Sequence, residues 1–290
     1  MFTIGIDPIA FTIGSFAVRW YGIMVVVAVV TLLVITLRET GRLGIPRDFI
    51  YNLFLWGIIG GFVGARLVHI VDHVVTNWEY YMANPGAILG YIVGLAGLSL
   101  YGAIIGAVVG AWIYMRVKRT PFSSLAGVGD ALAVGGPLGQ AIGRVACTIN
   151  GCCFGKPSPF HSFPGAVFYS PRDTIPSEYW EVPLYPAQIY FLLWNLIVFA
   201  VVWRLRGRLK PQGSLFFLYL CLYAAGDFGL RFFRYVEAPF LLGLHQGQVI
   251  SLAILVVAVP WLIIRVRKFR QRISVTEPTG GADSGQSHED

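Results

Sequence analysis

The chain has 290 residues, of which 56% are hydrophobic and only 13% are charged. Its mean hydropathy is +0.66 and its formal net charge is +7. An ordinary soluble domain carries about a quarter charged residues, so this composition excludes that class and indicates a polytopic membrane protein. The positive charges lie in short segments between apolar runs, which argues against nucleic acid as a partner.

Seven apolar runs are long enough to cross a bilayer, which takes about 20 residues. The sequence therefore predicts an all-α fold with seven transmembrane helices. The fourth run is rich in glycine and contains Asp130 and Pro137, so we expect a kinked or broken helix there. We expect Gly86–Gly94 to form a re-entrant or interfacial segment ahead of the third helix. The predicted spans are Phe16–Leu37, Phe49–Val71, Leu95–Met115, Leu125–Val145, Ala187–Trp203, Ser214–Leu230 and Val249–Ile264.

Lysine and arginine are distributed unequally over the loops. Most of the 22 follow the first, third, fifth and seventh runs, in RETGRLGIPR, RVKRTPF, RLRGRLKPQ and RVRKFRQR. Cytoplasmic loops carry an excess of these residues, so the N-terminus is predicted outside and the C-terminus in the cytoplasm. No small-residue cleavage site follows the first run, and no cleavable signal peptide is expected.

The polar segments define the predicted domain organisation. We interpret residues 1–273 as one transmembrane domain. The longest insert between spans, about 150–186, falls on the predicted outer side and is interpreted as an ordered arm or lid. Residues 274–290 are polar and are interpreted as a disordered cytoplasmic tail.

Several arginines lie within or at the outer ends of spans. Arg66, Arg144, Arg231 and Arg234 are of this kind, and an ionisable group there costs a few kcal/mol and usually faces a polar interior. A single such arginine is equally typical of a side chain that snorkels to the headgroup layer. Several at one level, beside glycines, favour an anion site, and the guanidinium fork suits a phospholipid phosphate.

Other polar groups and glycines lie near the same level. Asp227 and Arg231 are four residues apart, so one helical face could pair them. Tyr21, Tyr101 and Tyr190 lie near outer ends of spans, where a single tyrosine is also typical of the aromatic belt. Glycines of the third span would allow close approach of a neighbouring backbone or lipid chain. They are Gly94, Gly97, Gly102 and Gly106.

The segment GRVACTINGCCFGKP holds three of the four cysteines. A zinc site would need a fourth ligand, for which His161 is nearest, and the spacing C-x4-C-C matches no common structural site. A disulfide of Cys147 with Cys152 or Cys153 is geometrically more plausible than one between the adjacent pair. Simple packing of small side chains is the leading interpretation, and no metal is predicted.

This segment resembles the signature of the prolipoprotein diacylglyceryl transferases. The resemblance extends, in family order, through VRWYGIMVVVA, GARLVHI, YYMANP, GLSLYGAIIGA, YPAQIYFLLWN and GLHQGQVISL. It covers roughly Ile13 to Arg265, and the predicted topology agrees with the family.

The resemblance implies a reaction without a cofactor. The diacylglyceryl group of phosphatidylglycerol moves to the lipobox cysteine thiol of a preprolipoprotein, and glycerol 1-phosphate leaves. This implies a multi-pass monomer of the bacterial plasma (inner) membrane with its active site toward the outer face. The implied catalytic residues are Arg144, Tyr101, Tyr21 and Arg234. The implied phosphatidylglycerol-binding residues are Arg144, Asn150, Gly151, Gly155, Gln188, Tyr190, Arg231 and Arg234, with Asp227 and Arg231 as a structural ion pair.

The chain departs from the family pattern at several positions. Tyr101 replaces a histidine that is a proposed base, and a tyrosine with a pKa of about 10 is a poorer base near neutrality. Tyr185 and Phe191 replace a histidine and a glutamate. The family pattern Arg-(x)3-Glu-(x)2-Arg becomes Asp227-(x)3-Arg231-(x)2-Arg234. These changes leave open a catalytically altered or inactive paralogue that binds anionic phospholipid or lipoprotein. A transporter is favoured only by the intramembrane charges, because no inverted repeat is evident.

Overall fold

The computed structural model describes residues 2–14, 16–84, 99–120, 122–171, 174–235 and 241–276. This part of the chain is mostly helical. Its helices are α1 Trp20–Arg42, α2 Arg47–Thr76, α3 Trp78–Ala83, α4 Leu100–Val117, α5 Phe122–Asn150, α6 Ala187–Leu205, α7 Ser214–Leu230 and α8 Gln246–Thr276. Its strands are β1 Thr3–Ile4, β2 Ile9–Ile13, β3 Phe16–Arg19 and β4 Phe168–Tyr169.

Within the described ranges, five helices are long and apolar enough to cross a membrane, namely α1, α2, α6, α7 and α8. The apolar part of α4, Gly102–Val117, is shorter. Large apolar side chains on these helices remain exposed, among them Val26, Ile58 and Val256, at 55 to 66% of their full area. Lipid is the environment in which such surfaces are stable, so the chain is a polytopic membrane protein.

The N-terminal hairpin corrects the all-α prediction. Residues Phe16–Arg19, predicted as the start of the first span, pair antiparallel with β2 as β3, and α1 begins at Trp20. Gly14 lies between the two strands with φ at +60°, a conformation that glycine adopts without steric cost. A strand and a membrane span can both consist of apolar residues, so hydropathy alone could not distinguish β3 from the start of the first span.

Other predicted bounds shift less. α7 has the predicted ends, and α5 continues through Pro137 as one helix instead of breaking there. α8 continues to Thr276 and so includes the first residues of the predicted tail. The rest of that tail and the predicted Gly86–Gly94 segment lie outside the described residues.

The chain divides into two compact units, one of residues 33–128 and the other of residues 1–32 and 129–290. In the first unit, α2 and α4 meet through glycines. A Cβ at Gly106 would lie 2.1 Å from the Gly60 carbonyl oxygen, and one at Gly102 would lie 2.3 Å from that of Gly64. The predicted close approach at Gly102 and Gly106 is therefore confirmed, whereas Gly94 and Gly97 lie outside the described residues.

In the second unit, α7 packs against both α6 and α8. Trp194 on α6 donates its indole N–H to the Leu222 carbonyl oxygen over 3.1 Å, and Phe217 stacks on Trp261 of α8. Asp130 of α5 accepts hydrogen bonds from the backbone N–H groups of Gly213 and Phe216, at 2.7 and 2.9 Å. The Asp130 carboxylate thus satisfies donors that the first turn of α7 leaves without helical partners.

The segment between α5 and α6 has a small core of its own. Here β1 pairs in parallel with β4, so that Ile4 lies opposite Tyr169. Hydrogen bonds join Lys156 to Phe233 on one side and to Tyr185 on the other. The buried side chains of this core are Ile4, Phe154, Val167, Tyr169, Ile175 and Leu184. The pairing holds the residues after α5 in a fixed position beside the segment that follows α7.

Candidate active site

Arg144 lies in the last two turns of α5 and is partly buried. Its guanidinium carbon is 4.3 Å from the centroid of the Phe191 ring on α6. A cation over an aromatic face is stabilised by the ring quadrupole, and the contact fixes the direction of a long side chain. Phe191, a departure from the family pattern in sequence, therefore positions the predicted phosphate-binding arginine.

The chain turns sharply after α5. Gly151 has φ at +79° and donates its N–H to the Cys147 carbonyl oxygen over 2.9 Å, a common way to end a helix. Asn150 accepts a hydrogen bond from the Thr174 hydroxyl through its backbone carbonyl. Its side chain lies within hydrogen-bonding reach of the Cys152 thiol. The structure thus gives Asn150 and Gly151 roles in shaping this turn.

Three thiols meet at the turn. The sulfur atoms of Cys147, Cys152 and Cys153 all lie within 4.8 Å of one another, and all three are free. Hydrogen bonds from the Cys147 and Cys152 thiols, with the nearby charges of Arg234 and Arg144, lower the pKa of Cys153. The disulfide that the sequence left open is not formed here, and the three thiols cluster beside two arginines.

Arg234 lies after the short 3-10 turn Arg231–Phe233 that follows α7. It donates from Nη2 to the Cys153 sulfur over 3.2 Å, while its buried Nε has no hydrogen-bond partner among the described residues. Its backbone bridges to Gly155, where a Cβ would lie 2.2 Å from the Tyr185 carbonyl oxygen. Gly155 is therefore required for this close packing, and its role in substrate binding stays a prediction.

Arg231 is fixed from two sides. Its Nε is 2.5 Å from Oδ2 of Asp227, so the predicted i, i+4 ion pair is present. Ser251 on α8 donates its hydroxyl to the same carboxylate oxygen over 2.8 Å. The guanidinium packs on Gly247, where a Cβ would lie 2.0 Å from its central carbon. Asp227 is only 2% exposed, and pairing makes a buried carboxylate tolerable.

His245 is a site residue that the sequence did not single out. It lies just before α8, and burial together with the charges of Lys156, Arg231 and Arg234 lowers its pKa. Its buried Nδ1 has no hydrogen-bond partner among the described residues. The imidazole is therefore neutral near pH 7 and lies among three cations. The motif GLHQGQVISL contained this residue, but only the fold brings it to the arginines.

Two predicted binding residues have structural partners. Gln188 is 1% exposed and donates from Nε2 to the Cys152 carbonyl oxygen over 3.0 Å. Tyr190 donates its hydroxyl to the Pro164 carbonyl oxygen over 2.7 Å. Both side chains therefore hold the segment between α5 and α6 in place.

Tyr21 and Tyr101 lie in different units. The Tyr21 hydroxyl is close enough to Arg144 and to the three thiols to interact with them electrostatically. Beside it, a groove of about 470 Å³ is lined by Val18, Gly22, Ile23 and Val26. Tyr101 is in α4, and its side chain lies outside the described part. The structure thus brings Tyr21 to the Arg144 region, and the role of Tyr101 stays a prediction.

The electrostatic balance of this region is positive. In the described part of the chain, Arg144, Lys156 and Arg234 form no ion pair with a carboxylate, and Asp227 is occupied by Arg231. Unpaired guanidinium groups held in fixed positions bind phosphate strongly, because they offer charge and several donors together. The arrangement is suited to an anion and to stabilising negative charge that develops during a reaction.

Comparison with known proteins identifies the family. The family model described as prolipoprotein diacylglyceryl transferase matches residues 8–264. Among relatives named phosphatidylglycerol–prolipoprotein diacylglyceryl transferase, one from Dehalococcoides mccartyi is 40% identical over 278 residues, covering 95% of this chain and 100% of the relative. Another from Lysinibacillus sphaericus is 33% identical over 264 residues, covering 90% of this chain and 92% of the relative. One from Listeria innocua is 31% identical over 261 residues, covering 90% of each. The resemblance in the motifs is confirmed, and the chain belongs to the prolipoprotein diacylglyceryl transferase family.

Proposed function

We propose that Arg144 and Arg234 form the phosphate-binding part of the active site of this transferase. The enzyme moves the diacylglyceryl group of phosphatidylglycerol to the cysteine thiol of a prolipoprotein. One observation carries the proposal. Both guanidinium groups interact electrostatically with the Cys153 thiol, and neither forms an ion pair with a carboxylate among the described residues. Two such cations near one point suit a phosphodiester.

The reaction requires the protein to stabilise the leaving phosphate and to take the proton from the thiol. A bond forms between the substrate sulfur and an sp3 glyceryl carbon, while the bond from that carbon to a phosphate oxygen breaks. The leaving glycerol phosphate gains negative charge at that oxygen, and fixed cations stabilise it most in the transition state. The proton lost by the thiol passes through an acceptor on the protein to the phosphate product, so no external oxidant, reductant or metal is consumed.

Arg231 has a secondary role in the proposed phosphate-binding site. Its Nε is paired with Asp227, and this ion pair holds the guanidinium in place beside the phosphate-binding residues. Relative to the family pattern, the charges of Asp227 and Arg231 are exchanged, and the ion pair between the two positions is preserved. Arg234 forms no such pair among the described residues, so it is the cation that is more available to phosphate. Gln188 acts by holding the turn that carries Cys152 and Cys153, and Tyr190 acts by holding the following segment at Pro164.

The thiol proton needs an acceptor at neutral pH, where Tyr101 is a poor one. His245 is neutral there, and its buried Nδ1 has no hydrogen-bond partner among the described residues. We assign it as the acceptor, with Tyr21 and Tyr101 as hydrogen-bond donors to substrate. His245→Gln should keep phosphatidylglycerol binding and lose most transfer, whereas full transfer in that variant would discard the assignment.

The topology proposed for this enzyme has seven spans, with α4 and α5 added to the five long apolar helices. The basic loops support an orientation with the N-terminus and the segment between α5 and α6 outside and the C-terminus in the cytoplasm. The active site then faces the outer leaflet of a bacterial plasma membrane, where the monomer meets phosphatidylglycerol and exported prolipoprotein.

Complementation tests the function. A strain depleted of its own transferase should again make diacylglyceryl-modified lipoprotein when it expresses this chain, and Arg144→Ala should fail at equal expression. If the wild-type chain inserts and binds phosphatidylglycerol but transfers nothing, the chain is the non-catalytic paralogue that its departures from the family pattern allow.

A further inference from the structure

The cysteine cluster combines features that the transfer reaction does not use. Cys147 lies in the last turn of α5, and Cys152 and Cys153 lie in the turn that follows. Their three sulfur atoms are mutually within 4.8 Å, and each side chain is partly buried. The nucleophile of the reaction belongs to the prolipoprotein, so none of these thiols is needed as one.

Several contacts hold the cluster together. Gly151 reverses the chain, and Gln188 anchors the Cys152 carbonyl oxygen over 3.0 Å. Cys153 has φ at +61°, in the left-handed region, which costs a residue with a side chain about 1 kcal/mol or more. The surrounding structure therefore keeps Cys153 in an unfavourable conformation, and that conformation is part of what puts its thiol beside the other two.

The spacing of the sulfurs suits one metal ion. Bonds of about 2.3 Å from sulfur to zinc place the three sulfurs of a trigonal site about 4 Å apart. A shift of less than 1 Å would bring sulfurs that lie within 4.8 Å to that geometry. Thiolates are soft ligands and select soft ions such as Cu⁺, Zn²⁺ and Cd²⁺ over Mg²⁺ or Ca²⁺.

The charges around the cluster also suit a metal–thiolate centre. Three thiolates and one divalent ion carry a net charge of −1, which needs a cationic neighbour in a partly buried site. Arg234 already donates to the Cys153 sulfur over 3.2 Å, and the charge of Arg144 also reaches that thiol. Hydrogen bonds to ligand sulfurs of this kind orient and stabilise metal sites.

We propose that Cys147, Cys152 and Cys153 bind one soft metal ion through three sulfur ligands, with Arg234 as the charge-balancing neighbour. Binding replaces the S–H protons with three sulfur–metal bonds, releases up to three protons and involves no change of oxidation state. The site shares Arg234 with the proposed phosphate-binding site and differs from it in its ligands, which are three sulfur atoms. Spacing along the sequence did not indicate it, because the turn at Gly151 creates it.

Cd²⁺ titration of the reduced, full-length protein in detergent tests the proposal without any lipid substrate. We expect one Cd²⁺ per chain, a thiolate-to-metal charge-transfer absorption, and none of this with Mg²⁺. Cys147→Ser, Cys152→Ser and Cys153→Ser should each weaken binding at least about tenfold, the lower end of the losses seen for outer-shell partners alone. Cys221→Ser, which alters the cysteine in α7 outside the cluster, should bind as the wild type does.

Three results would overturn the proposal. The first is wild-type binding in all three single variants, and the second is loss of binding in Cys221→Ser. The third is a stable disulfide within the cluster, in which two thiols are missing before reduction and Cd²⁺ is not taken up either before or after reduction. If a variant fails to fold, ¹¹³Cd NMR of the wild type decides instead, because its chemical shift reports whether three sulfurs surround the ion. A failure to bind Cd²⁺ would not count against the transfer activity, and a loss of transfer would not count against metal binding.

Discussion

The Arg234 guanidinium donates a hydrogen bond from Nη2 to the sulfur of Cys153 over 3.2 Å. This contact joins the segment after α7 to the turn after α5, two parts of the chain that are 81 residues apart in sequence. The backbone bridge between Gly155 and Arg234 runs alongside it. A shift of either segment would therefore move the candidate phosphate-binding arginine.

Gly247→Ala tests how Arg231 is held. The new Cβ would lie 2.0 Å from the central carbon of the guanidinium, so the side chain must leave its place over Gly247. We expect transfer to fall by about 100-fold, the size of loss that a displacement of about 1 Å can cause. Gly229→Ala is the matched control, because a Cβ there meets nothing within 4 Å. Equal activity of the two variants in a purified transfer assay would contradict a role for Arg231.

Gly155→Ala tests the packing beneath the site. Its Cβ would lie 2.2 Å from the Tyr185 carbonyl oxygen, and a backbone atom cannot move aside as a side-chain tip can. We expect the free energy of unfolding to fall by about 1–3 kcal/mol, as for other overpacked positions. Thermal unfolding in detergent measures this, with Gly41→Ala as the control, since its Cβ has open space. An unchanged midpoint would show that the two segments do not pack this closely.

Acid should destabilise the protein partly through His245. Burial and the cations Lys156, Arg231 and Arg234 lower its pKa in the folded state, whereas in the unfolded chain it stays near 6.5. Between about pH 6.5 and the lower folded value, the unfolded chain binds the proton more readily, so stability is lost as the pH falls. His245→Gln should lose less thermal stability than the wild type between about pH 7.5 and 5. The exposed His161→Gln should follow the wild type, and a parallel loss in all three proteins would refute the lowered pKa.

Asp130→Ala tests the cap that joins α5 to α7. The substitution leaves the N–H groups of Gly213 and Phe216 without their carboxylate partner. We expect a loss of about 1–2 kcal/mol in the free energy of unfolding, as for other N-cap removals. Asp130→Asn should recover part of it, because its side-chain oxygen can still accept one of these bonds. No difference between Asp130→Ala and the wild type in thermal unfolding would count against the cap.

Sequence patterns predicted those features of the fold that depend on residues close together in sequence. Pro186 and Gly213 bound α6 and α7, so the start of each was predictable, as was the pairing of Asp227 with Arg231 four residues on. The hairpin of β2 and β3 was missed because its apolar residues are equally typical of a membrane span. Hydropathy reports burial or lipid contact, not the backbone conformation.

The candidate site was predictable only in part. Family motifs indicated Arg144 and Arg234, but the sequence alone did not show contacts between segments that are far apart in the chain. Neither the three sulfurs that meet around Gly151 nor the location of His245 among the cations follows from sequence spacing. The sequence also did not show that Gln188, predicted to bind substrate, donates a hydrogen bond to the Cys152 carbonyl oxygen. Such roles depend on tertiary packing between segments far apart in sequence.

Arg144 and Arg234 are proposed to stabilise the phosphate of the donor lipid. The most direct test is the rate of diacylglyceryl transfer from phosphatidylglycerol to a lipobox peptide by purified Arg144→Ala and Arg234→Ala, with the exposed Arg208→Ala as control. We predict that each site variant loses about 100- to 1,000-fold in kcat, as when one donor to a developing charge is removed elsewhere. Arg208→Ala should keep the wild-type rate. Folded Arg144→Ala and Arg234→Ala enzymes that transfer as fast as the control would contradict the account.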